Sequence, residues 1–393
     1  MTWKSLSLSD LAEFDPCAPR NGVLSSDAVV AFLPMAGLSS DEVVVRPTET
    51  RALCDVMAGF TYFQNGDVLV AKITPCFENG KTAEVSMNFT HGFGSTEFHV
   101  IRPDRSQLIP RYLTYYLRQS RVRDAGQRRM TGSAGQRRVP RAFLKELLIP
   151  VPLLSEQERI ADILDKADGI RRKQEQSVDE ANQLIRSVFL ERFGDPLTNR
   201  RSLPKARIRD FGTVVTGNTP SRNNPDNFGS AIEWIKSDNI NSPNHFLTSA
   251  EEYLSETGRS LGRTAPANST LVTCIAGSPS VIGNAALADR EVAFNQQINA
   301  VVPDRTTDPY FLYCQFLVGK KLIQVNSTNS MKGMVSKGKF QEIEFLKPSQ
   351  GEQKEFGEFF KRVVGMTRRL QKACAESEEL FGSLSTRAFR EGL

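Results

Sequence analysis

The chain has 393 residues, of which 39% are hydrophobic and 24% charged, and its net charge is +5. This length allows two or more domains with sizeable cores, and the composition is ordinary for a globular protein. No apolar run approaches the roughly 20 residues that cross a bilayer. The N-terminus lacks a cationic start followed by an apolar core, so the sequence predicts a cytoplasmic protein.

Residues 1–152 have the pattern of a mixed α/β domain. Short apolar runs with β-branched residues predict strands at Val43–Val45, Val68–Ile73 and Phe98–Ile101. A helix is predicted from Pro110 to about Arg123, because proline suits a helix start and an apolar stripe at 3–4 spacing follows it.

A basic block covers residues 118–145. It contains eight arginines and one lysine against a single acid, Asp124. Such a block favours contacts with nucleic-acid phosphates. The alternative is a solvated helix face or loop, which the residues alone do not exclude.

Two long polar helices are predicted, at about 155–193 and 351–389, and each has no internal proline. Ser155 and Glu158 have the spacing of a capping box at the first helix start. At about 1.5 Å per residue, each helix would form a rod of roughly 58 Å, long enough to act as a spacer.

Apolar residues recur at 3–4 spacing along both helices, with interruptions in the middle of the first. Such stripes predict that the helices pair with each other as an antiparallel coiled coil. The residues expected at the helix pair or at a subunit-docking surface are Ile160, Ile163, Ile170, Leu184, Phe356, Phe359, Met366 and Leu380.

The chain repeats its own plan after 196 residues. The spacing Pro-x-x-x-Glu-Gln occurs at 152–157 and again at 348–353, each time at the start of a long helix. Weaker matches align the strands and the Pro-Tyr-rich helix of the first half with those of the second. The sequence therefore predicts an α+β fold with an internal pseudo-two-fold repeat, divided into a recognition domain at 1–152, a central helix and linker at 153–198, a second recognition domain at 199–348 and a C-terminal helix at 349–393.

Catalytic motifs are incomplete along the whole sequence. The stretch Gly212–Thr219 is spaced like a phosphate-binding P-loop, but Asn218 stands where the lysine is needed. Six scattered cysteines form no CxxC pair, and three histidines are too few for a His-based metal or acid–base cluster. We therefore predict a protein that is not an enzyme, with no catalytic residues and no metal site.

The order and duplication of these features resemble the specificity (S) subunits of type I restriction–modification systems. The resemblance covers essentially the whole chain and rests on the two Pro-x-x-x-Glu-Gln helix starts. Segments such as Ile73–Lys81 in the first half and Thr219–Ser221 and Asn295–Gln297 in the second are similar to recurrent types of recognition domain in that family.

This resemblance implies a DNA-reading scaffold without catalysis of its own. Each recognition domain would read one half of a split double-stranded DNA site, and the helix pair would set the gap. The expected partners are two methyltransferase subunits and restriction subunits, with no membrane. The partners would carry S-adenosylmethionine, ATP and Mg²⁺, and this chain would bind no cofactor directly.

Candidate DNA contacts follow from side chains that match base edges or phosphates. In the first half they lie around the Glu-Asn-Gly-Lys turn and in the glycine-containing loop 130–138; they are Lys72, Thr74, Asn79, Lys81, Arg128, Arg129, Arg137 and Arg138. In the second half they include the matching loop 331–339; they are Ser221, Arg222, Asn223, Asn224, Lys236, Lys332, Lys337 and Lys339.

Three other functions stay open at this point. The chain could serve a stand-alone methyltransferase that has no restriction partner. It could also be a coiled-coil adaptor that binds protein, which predicts no salt-dependent DNA binding. A methyltransferase of unusual motif would instead bind S-adenosylmethionine by itself.

Overall fold

A computed structural model describes residues 3–19, 25, 27–133, 135–241, 244–328 and 333–390. The chain forms two compact units, unit 1 from residues 1–174 and 373–393 and unit 2 from residues 175–372. This division falls inside both long helices and therefore cuts across the four predicted segments. Within the described ranges, no helix is both long and apolar enough to cross a membrane.

Unit 1 begins with short strands and helices that precede the first long helix. Its strands are β1 (Ser5–Ser7), β2 (Ala12–Phe14), β3 (Val29–Leu33), β4 (Val44–Val45), β5 (Glu49–Ala52), β6 (Thr61–Phe63), β7 (Val68–Ala71), β8 (Thr82–Val85), β9 (Gly92–Gly94), β10 (Phe98–Pro103) and β11 (Leu148–Pro150). Its helices are α1 (Leu8–Leu11), α2 (Leu53–Val56), α3 (Pro110–Arg118), α4 (Ser120–Arg128), α5 (Arg141–Lys145) and the first part of α6 (Leu154–Phe193).

Three sheets organise these strands. The main sheet has the order β2-β10-β7-β8-β4, and β10 and β7 pair antiparallel with Phe98 opposite Ala71. A second sheet, β5-β3-β9-β6, has the parallel pair β3–β9 at its centre. Strands β1 and β11 form a separate antiparallel pair, which holds the start of the chain beside the segment that leads into α6.

Unit 2 continues from α6 and ends in the second long helix. Its strands are β12 (Lys205–Arg207), β13 (Gly212–Thr216), β14 (Phe228–Ile235), β15 (Tyr253–Leu254), β16 (Thr264–Ala265), β17 (Thr270–Thr273), β18 (Ile275–Ala276), β19 (Ala285–Leu287), β20 (Val292–Phe294), β21 (Ile298–Pro303), β22 (Gly333–Met334) and β23 (Glu344–Leu346). Its helices are α7 (Glu256–Leu261), α8 (Pro309–Val318), α9 (Lys320–Val325), α10 (Lys337–Glu342) and α11 (Gln350–Ala388).

The sheets of unit 2 repeat those of unit 1. Its main sheet has the order β13-β21-β17-β19, which matches β2-β10-β7-β8 strand for strand. The sheet β15-β14-β20-β16 again has a parallel central pair, β14–β20, and β12 pairs with β23 as β1 pairs with β11. The predicted α+β fold with an internal repeat and two long helices is confirmed.

Both long helices begin one residue earlier than predicted, at Leu154 and Gln350. Ser155 therefore lies inside α6 and does not cap it, so that prediction is wrong. The capping box occurs at α11 instead. The Ser349 amide donates to Glu352 Oε2 at 2.9 Å, and the Glu352 amide donates to Ser349 Oγ at 3.4 Å.

The repeated glutamine of the Pro-x-x-x-Glu-Gln spacing is a buried structural residue. Gln157 Oε1 accepts from the Ile109 amide at 2.9 Å, and its Nε2 donates to the Gln107 and Pro152 carbonyls at 2.8 and 3.0 Å. Gln353 makes the equivalent bond to the Pro348 carbonyl and accepts from the amide just before α8. Gln157 thus links the start of α6 to the loop before α3, and Gln353 links the start of α11 to the loop before α8.

In unit 1, the first half of α6 and the end of α11 belong to one hydrophobic core. Ile160 and Leu164 are fully buried there together with Ala388, and Phe389 packs its ring 4.9 Å from that of Tyr112 on α3. The start of one helix lies with the end of the other, which is an antiparallel arrangement.

In unit 2, the second half of α6 packs with the start of α11. The rings of Phe189 and Phe193 lie 5.4 and 5.7 Å from the ring of Phe356, and Phe311 of α8 contacts all three. The antiparallel pairing therefore holds in this unit also. In unit 2 the long helices bury aromatic side chains against each other, and in both units aromatic side chains at or near the helix ends pack on the globular part.

The predicted apolar stripe is offset from the buried one. Four residues expected at the helix pair are exposed, namely Ile170 (56%), Leu184 (42%), Met366 (41%) and Leu380 (58%). Ile160 and Phe356 are buried as expected, and Ile163 and Phe359 are partly buried. The buried positions in the second half of α6 recur every four residues, because this face packs on the domain core; they are Ala181, Ile185, Phe189 and Phe193.

Candidate nucleic-acid interface

The basic block of residues 118–145 divides into several elements. The single helix predicted at 110–123 is broken at Gln119, whose extended backbone separates α3 from α4. The Arg118 guanidinium donates to the carbonyls of Glu42 and Thr82 at 2.9 and 3.2 Å, and burial lowers its pKa. Arg123 donates to the Glu78 carbonyl at 2.7 Å. These two arginines bind backbone carbonyls and tie segments of the domain together.

Other members of the block form surface ion pairs. Arg129 lies 3.2 Å from Glu146, and Arg141 lies 3.0 Å from Asp15. Exposed pairs of this kind are worth little and exchange readily for phosphate. Within the described part of the chain, Arg128 and Arg137 have no ion pair or side-chain hydrogen bond. Membership of the basic block is therefore weaker evidence for a phosphate contact than the exposure and the lack of partners of Arg128 and Arg137.

Four of the predicted DNA contacts lie together at the end of β7. The Thr74 amide donates to the Arg137 carbonyl at 2.9 Å, and the Val139 amide donates to the Lys72 carbonyl at 2.9 Å. Arg138 is the backbone partner of Ile73 in an antiparallel bridge. The loop 130–139 is thus fastened along the strand end, which brings the backbones of Lys72, Thr74, Arg137 and Arg138 close together.

Two further candidates lie on the turn that follows. Asn79 is exposed and Lys81 is partly buried. The turn packs on α4 through Phe77, and a Cβ added at Gly126 would lie 2.5 Å from that ring. Glycine at 126 therefore permits the close approach that places Asn79 near the helix carrying Arg128.

An acid that the sequence analysis missed orients Arg138. Arg138 donates through Nε and Nη2 to the two carboxylate oxygens of Glu97, at 2.9 and 2.7 Å. The hydrogen bond from Arg138 holds the pKa of Glu97 below its usual value. The repeat offers a signal for Glu97, because it directly precedes β10 as Gln297 directly precedes β21.

In unit 2, two predicted contacts share an acid and an aromatic ring. Arg222 and Lys236 both pair with Glu252, and both cations lie over the ring of Trp234, at 5.2 and 5.4 Å from its centroid. The hydrogen bond from Lys236, with that from Arg222, lowers the pKa of Glu252. The cluster keeps two cations together at the surface despite their mutual repulsion.

The remaining candidates of unit 2 have separate surroundings. Asn224 Oδ1 accepts from the Asp226 amide at 3.1 Å, so Asn224 stabilises a turn, whereas Ser221 and Asn223 are exposed. Lys337 and Lys339 are exposed on α10. Lys332 lies outside the described residues.

Two copies of one α+β unit, each presenting cationic and amide side chains near the ends of its strands, define a duplicated recognition scaffold. The chain belongs to the family described as type I restriction modification DNA specificity domain, whose model matches residues 2–180 and 204–377. Both halves are therefore members of one domain family, which confirms the resemblance seen in the sequence.

Known relatives agree with this assignment. The chain is 36% identical over 192 residues to the EcoAI type I restriction enzyme specificity subunit of Escherichia coli, an alignment that covers 48% of this chain and 32% of the relative. The chain thus matches about a third of that relative's length.

Two solved structures share the fold. One, from work on complex assembly and conformational transition of the type I R-M system, has a TM-score of 0.63 at 16% identity and covers 100% of this chain and 98% of its own. The other, the S subunit of a type I restriction–modification system from M. genitalium, has a TM-score of 0.59 at 14% identity, with coverage of 100% and 97%.

Proposed function

We propose that this chain is the sequence-specific DNA-binding subunit of a type I restriction–modification complex. The observation that carries the proposal is the duplication itself: two units have the same sheet order but different polar residues at their strand ends. One scaffold that presents two different surfaces suits a DNA site with two different halves. Because both long helices contribute to both units, we expect the gap between the half-sites to be constant.

The exposed apolar residues of the long helices support two docking sites for methyltransferase subunits. Unit 1 exposes Ile170 and Leu380, and unit 2 exposes Met366 and Leu184. Under the 196-residue repeat, Ile170 corresponds to Met366 and Leu184 corresponds to Leu380. Each unit therefore exposes one residue of each equivalent pair, and exposed apolar patches commonly mark protein contacts. Restriction subunits would join the same complex.

We expect the chain to have no catalytic activity and to bind none of the cofactors of the complex. S-adenosylmethionine, ATP and Mg²⁺ would be bound by the partner subunits. The P-loop-like stretch supports this, since Gly212–Thr216 is strand β13 and its backbone is paired with β21. The stretch therefore runs as an extended edge strand, whose amides are not curled around a phosphate group.

The test is a methylome. Genomic DNA is sequenced for modified adenines in cells that express the methyltransferase of the same system, with and without this chain. We expect a split motif with a constant gap that appears only when the chain is present. A split motif in cells lacking any restriction gene would identify a stand-alone methylation system.

Absence of any motif, with the methyltransferase shown to be expressed, would contradict the proposal. Salt-independent association with protein alone would then favour the adaptor function. Binding of S-adenosylmethionine by the purified chain would instead favour an enzyme. A control chain carrying Gln157→Leu and Gln353→Leu, which disrupts the start of both helices, should also abolish the motif.

A further inference from the structure

The same three-way junction of backbone segments occurs once in each unit. In unit 1, the Lys72 amide donates to the Glu97 carbonyl at 2.9 Å, and the Lys72 carbonyl accepts from Val139 at 2.9 Å. In unit 2, the Cys274 amide donates to the Gln297 carbonyl at 2.8 Å, and the Cys274 carbonyl accepts from Val335 at 2.9 Å. Each junction joins three segments. They are the end of β7 or β17, the turn before β10 or β21, and the loop that precedes α5 or α10.

The turns at the two junctions are also built alike. Ser95 Oγ accepts from the Glu97 amide at 3.2 Å, and Asn295 Oδ1 accepts from the Gln297 amide at 3.0 Å. In both cases a polar side chain stabilises the turn through the amide two residues later. The backbone position of residue 97 in unit 1 is therefore that of residue 297 in unit 2.

A second pair of positions is equivalent by strand pairing. Arg138 faces Ile73 in an antiparallel bridge, and Met334 faces Ile275 in the antiparallel pair β18–β22. The residue facing the strand end is thus arginine in one unit and methionine in the other. One scaffold holds Glu and Arg in unit 1, and Gln and Met in unit 2.

These side chains leave different hydrogen-bonding groups for a ligand. Glu97 engages Nε and Nη2 of Arg138, while 41% of the arginine side chain stays accessible. Nη1 also donates to the Gln136 carbonyl at 3.3 Å. A guanidinium has five N–H donors, so one N–H of Nη1 and one of Nη2 remain for a ligand. Gln297 Oε1 accepts from Asn295 Nδ2 at 3.1 Å and from Ser237 Oγ at 3.5 Å. Its Nε2 has no partner within the described part of the chain.

We propose that the two junctions are equivalent base-reading positions, at which Arg138 contacts guanine in one half-site and Gln297 contacts adenine in the other. This inference rests on the proposed function. An arginine edge donates two hydrogen bonds to guanine O6 and N7. A glutamine amide donates to adenine N7 through Nε2 and accepts from adenine N6 through Oε1, for which the long 3.5 Å bond from Ser237 Oγ must be released. Glu97 is a positioning residue, which holds the guanidinium in one orientation and contacts no base.

The first experiment transplants the junction of unit 1 into unit 2. The double variant Gln297→Glu/Met334→Arg is made in the full chain and purified in complex with its methyltransferase subunits. Wild type and variant each select from a pool of randomised DNA duplexes, and the bound fraction is sequenced. We expect one position of one half-site to change from adenine to guanine, by about tenfold or more in preference, because a bidentate contact discriminates on that scale. The other half-site is an internal control and should not change.

The second experiment removes the contact in unit 1. Arg138→Ala should abolish the preference for guanine at one position of the other half-site. Glu97→Gln should reduce the same preference several-fold while the dependence of binding on salt stays unchanged, because the cation is kept. A merely structural role for Glu97 would lower binding to every sequence equally and would leave the base preference intact.

These outcomes separate this inference from the proposed function. A selected motif that is identical for wild type, Arg138→Ala and the transplanted variant would overturn the base-reading assignment and leave the function standing. Failure of the wild-type complex to select any sequence would overturn the function as well. If the transplanted variant does not assemble, the Arg138→Ala variant decides by itself. A guanine preference that is unchanged in that variant would overturn the inference.

Discussion

Two neighbouring residues on α6, Leu184 and Ile185, differ in burial and so report the orientation of the helix. Ile185 is fully buried in the core of unit 2, whereas Leu184 is 42% exposed. Truncating a buried isoleucine to alanine costs about 2–5 kcal/mol, and surface substitutions stay within about 0.5 kcal/mol. We expect Ile185→Ala to lower the free energy of unfolding by about 3 kcal/mol and Leu184→Ala to leave it nearly unchanged.

The two variants form a matched pair. Both introduce alanine on the same turn of the same helix, so their changes in helix propensity are small and similar, a few tenths of a kcal/mol. Ile185 lies one turn from Ala181 and one turn from Phe189, both of which are buried. The loss of the buried side-chain volume of Ile185 from this core accounts for the expected difference.

The assay is urea unfolding followed by tryptophan fluorescence. The chain has two tryptophans, and Trp3→Phe leaves Trp234, which is buried in unit 2, as the sole reporter. The wild-type, Ile185→Ala and Leu184→Ala chains are compared in that background. Equal losses in both variants, or a larger loss in Leu184→Ala, would refute the register of α6 described above.

Three further predictions concern other parts of the molecule. Gln157→Leu should destabilise unit 1 by about 3 kcal/mol, because it leaves buried backbone groups without hydrogen-bond partners. Gln183→Leu, on the exposed face of α6, should not destabilise it. Thermal unfolding of both variants tests this prediction. Arg137→Ala should reduce the slope of log affinity against log salt by about 0.9 while Arg137→Lys keeps it, and an unchanged slope in the alanine variant would remove Arg137 from the phosphate contacts. Burial, together with the nearby Arg186, lowers the pKa of His245 from its ordinary value of 6.5 to about 4. The unfolded chain therefore binds more protons than the folded one between these values, so stability should fall by up to about 3 kcal/mol from pH 6.5 to pH 4; a His245→Gln chain with the same pH profile would contradict this.

Much of the architecture could be predicted from local patterns. A proline followed by a long polar stretch without internal proline marks the start of a helix. Both α6 and α11 begin within one residue of the predicted positions. The repeat of 196 residues gave the correspondence of strands and helices, because aligned positions in a duplicated chain occupy aligned elements. The break at Gln119 between α3 and α4 escaped prediction, since no proline or glycine marks it.

The candidate site was predicted only in part. Lys72, Thr74, Arg137 and Arg138 were chosen from composition and turn signals, and the structure brings them together. The partner of Arg138 was missed, because Glu97 lies 41 residues away in sequence and meets it through the packing of a loop on a strand end. Counting charges in the basic block likewise did not distinguish Arg118, which donates to backbone carbonyls, from exposed arginines.

The sequence by itself determined the duplication, the two long helices and the absence of a complete catalytic motif, because these depend on residue types at short spacing. Tertiary structure decided which face of each helix is buried and which cations are free. Leu184 and Ile185 are both apolar, so periodicity alone could not choose between them. Packing chose Ile185, which belongs to one buried core with aromatic residues of α8 and α11, far away along the chain. Such long-range contacts also select the residue pairs at the two junctions, where one backbone arrangement presents an arginine in one unit and a glutamine in the other.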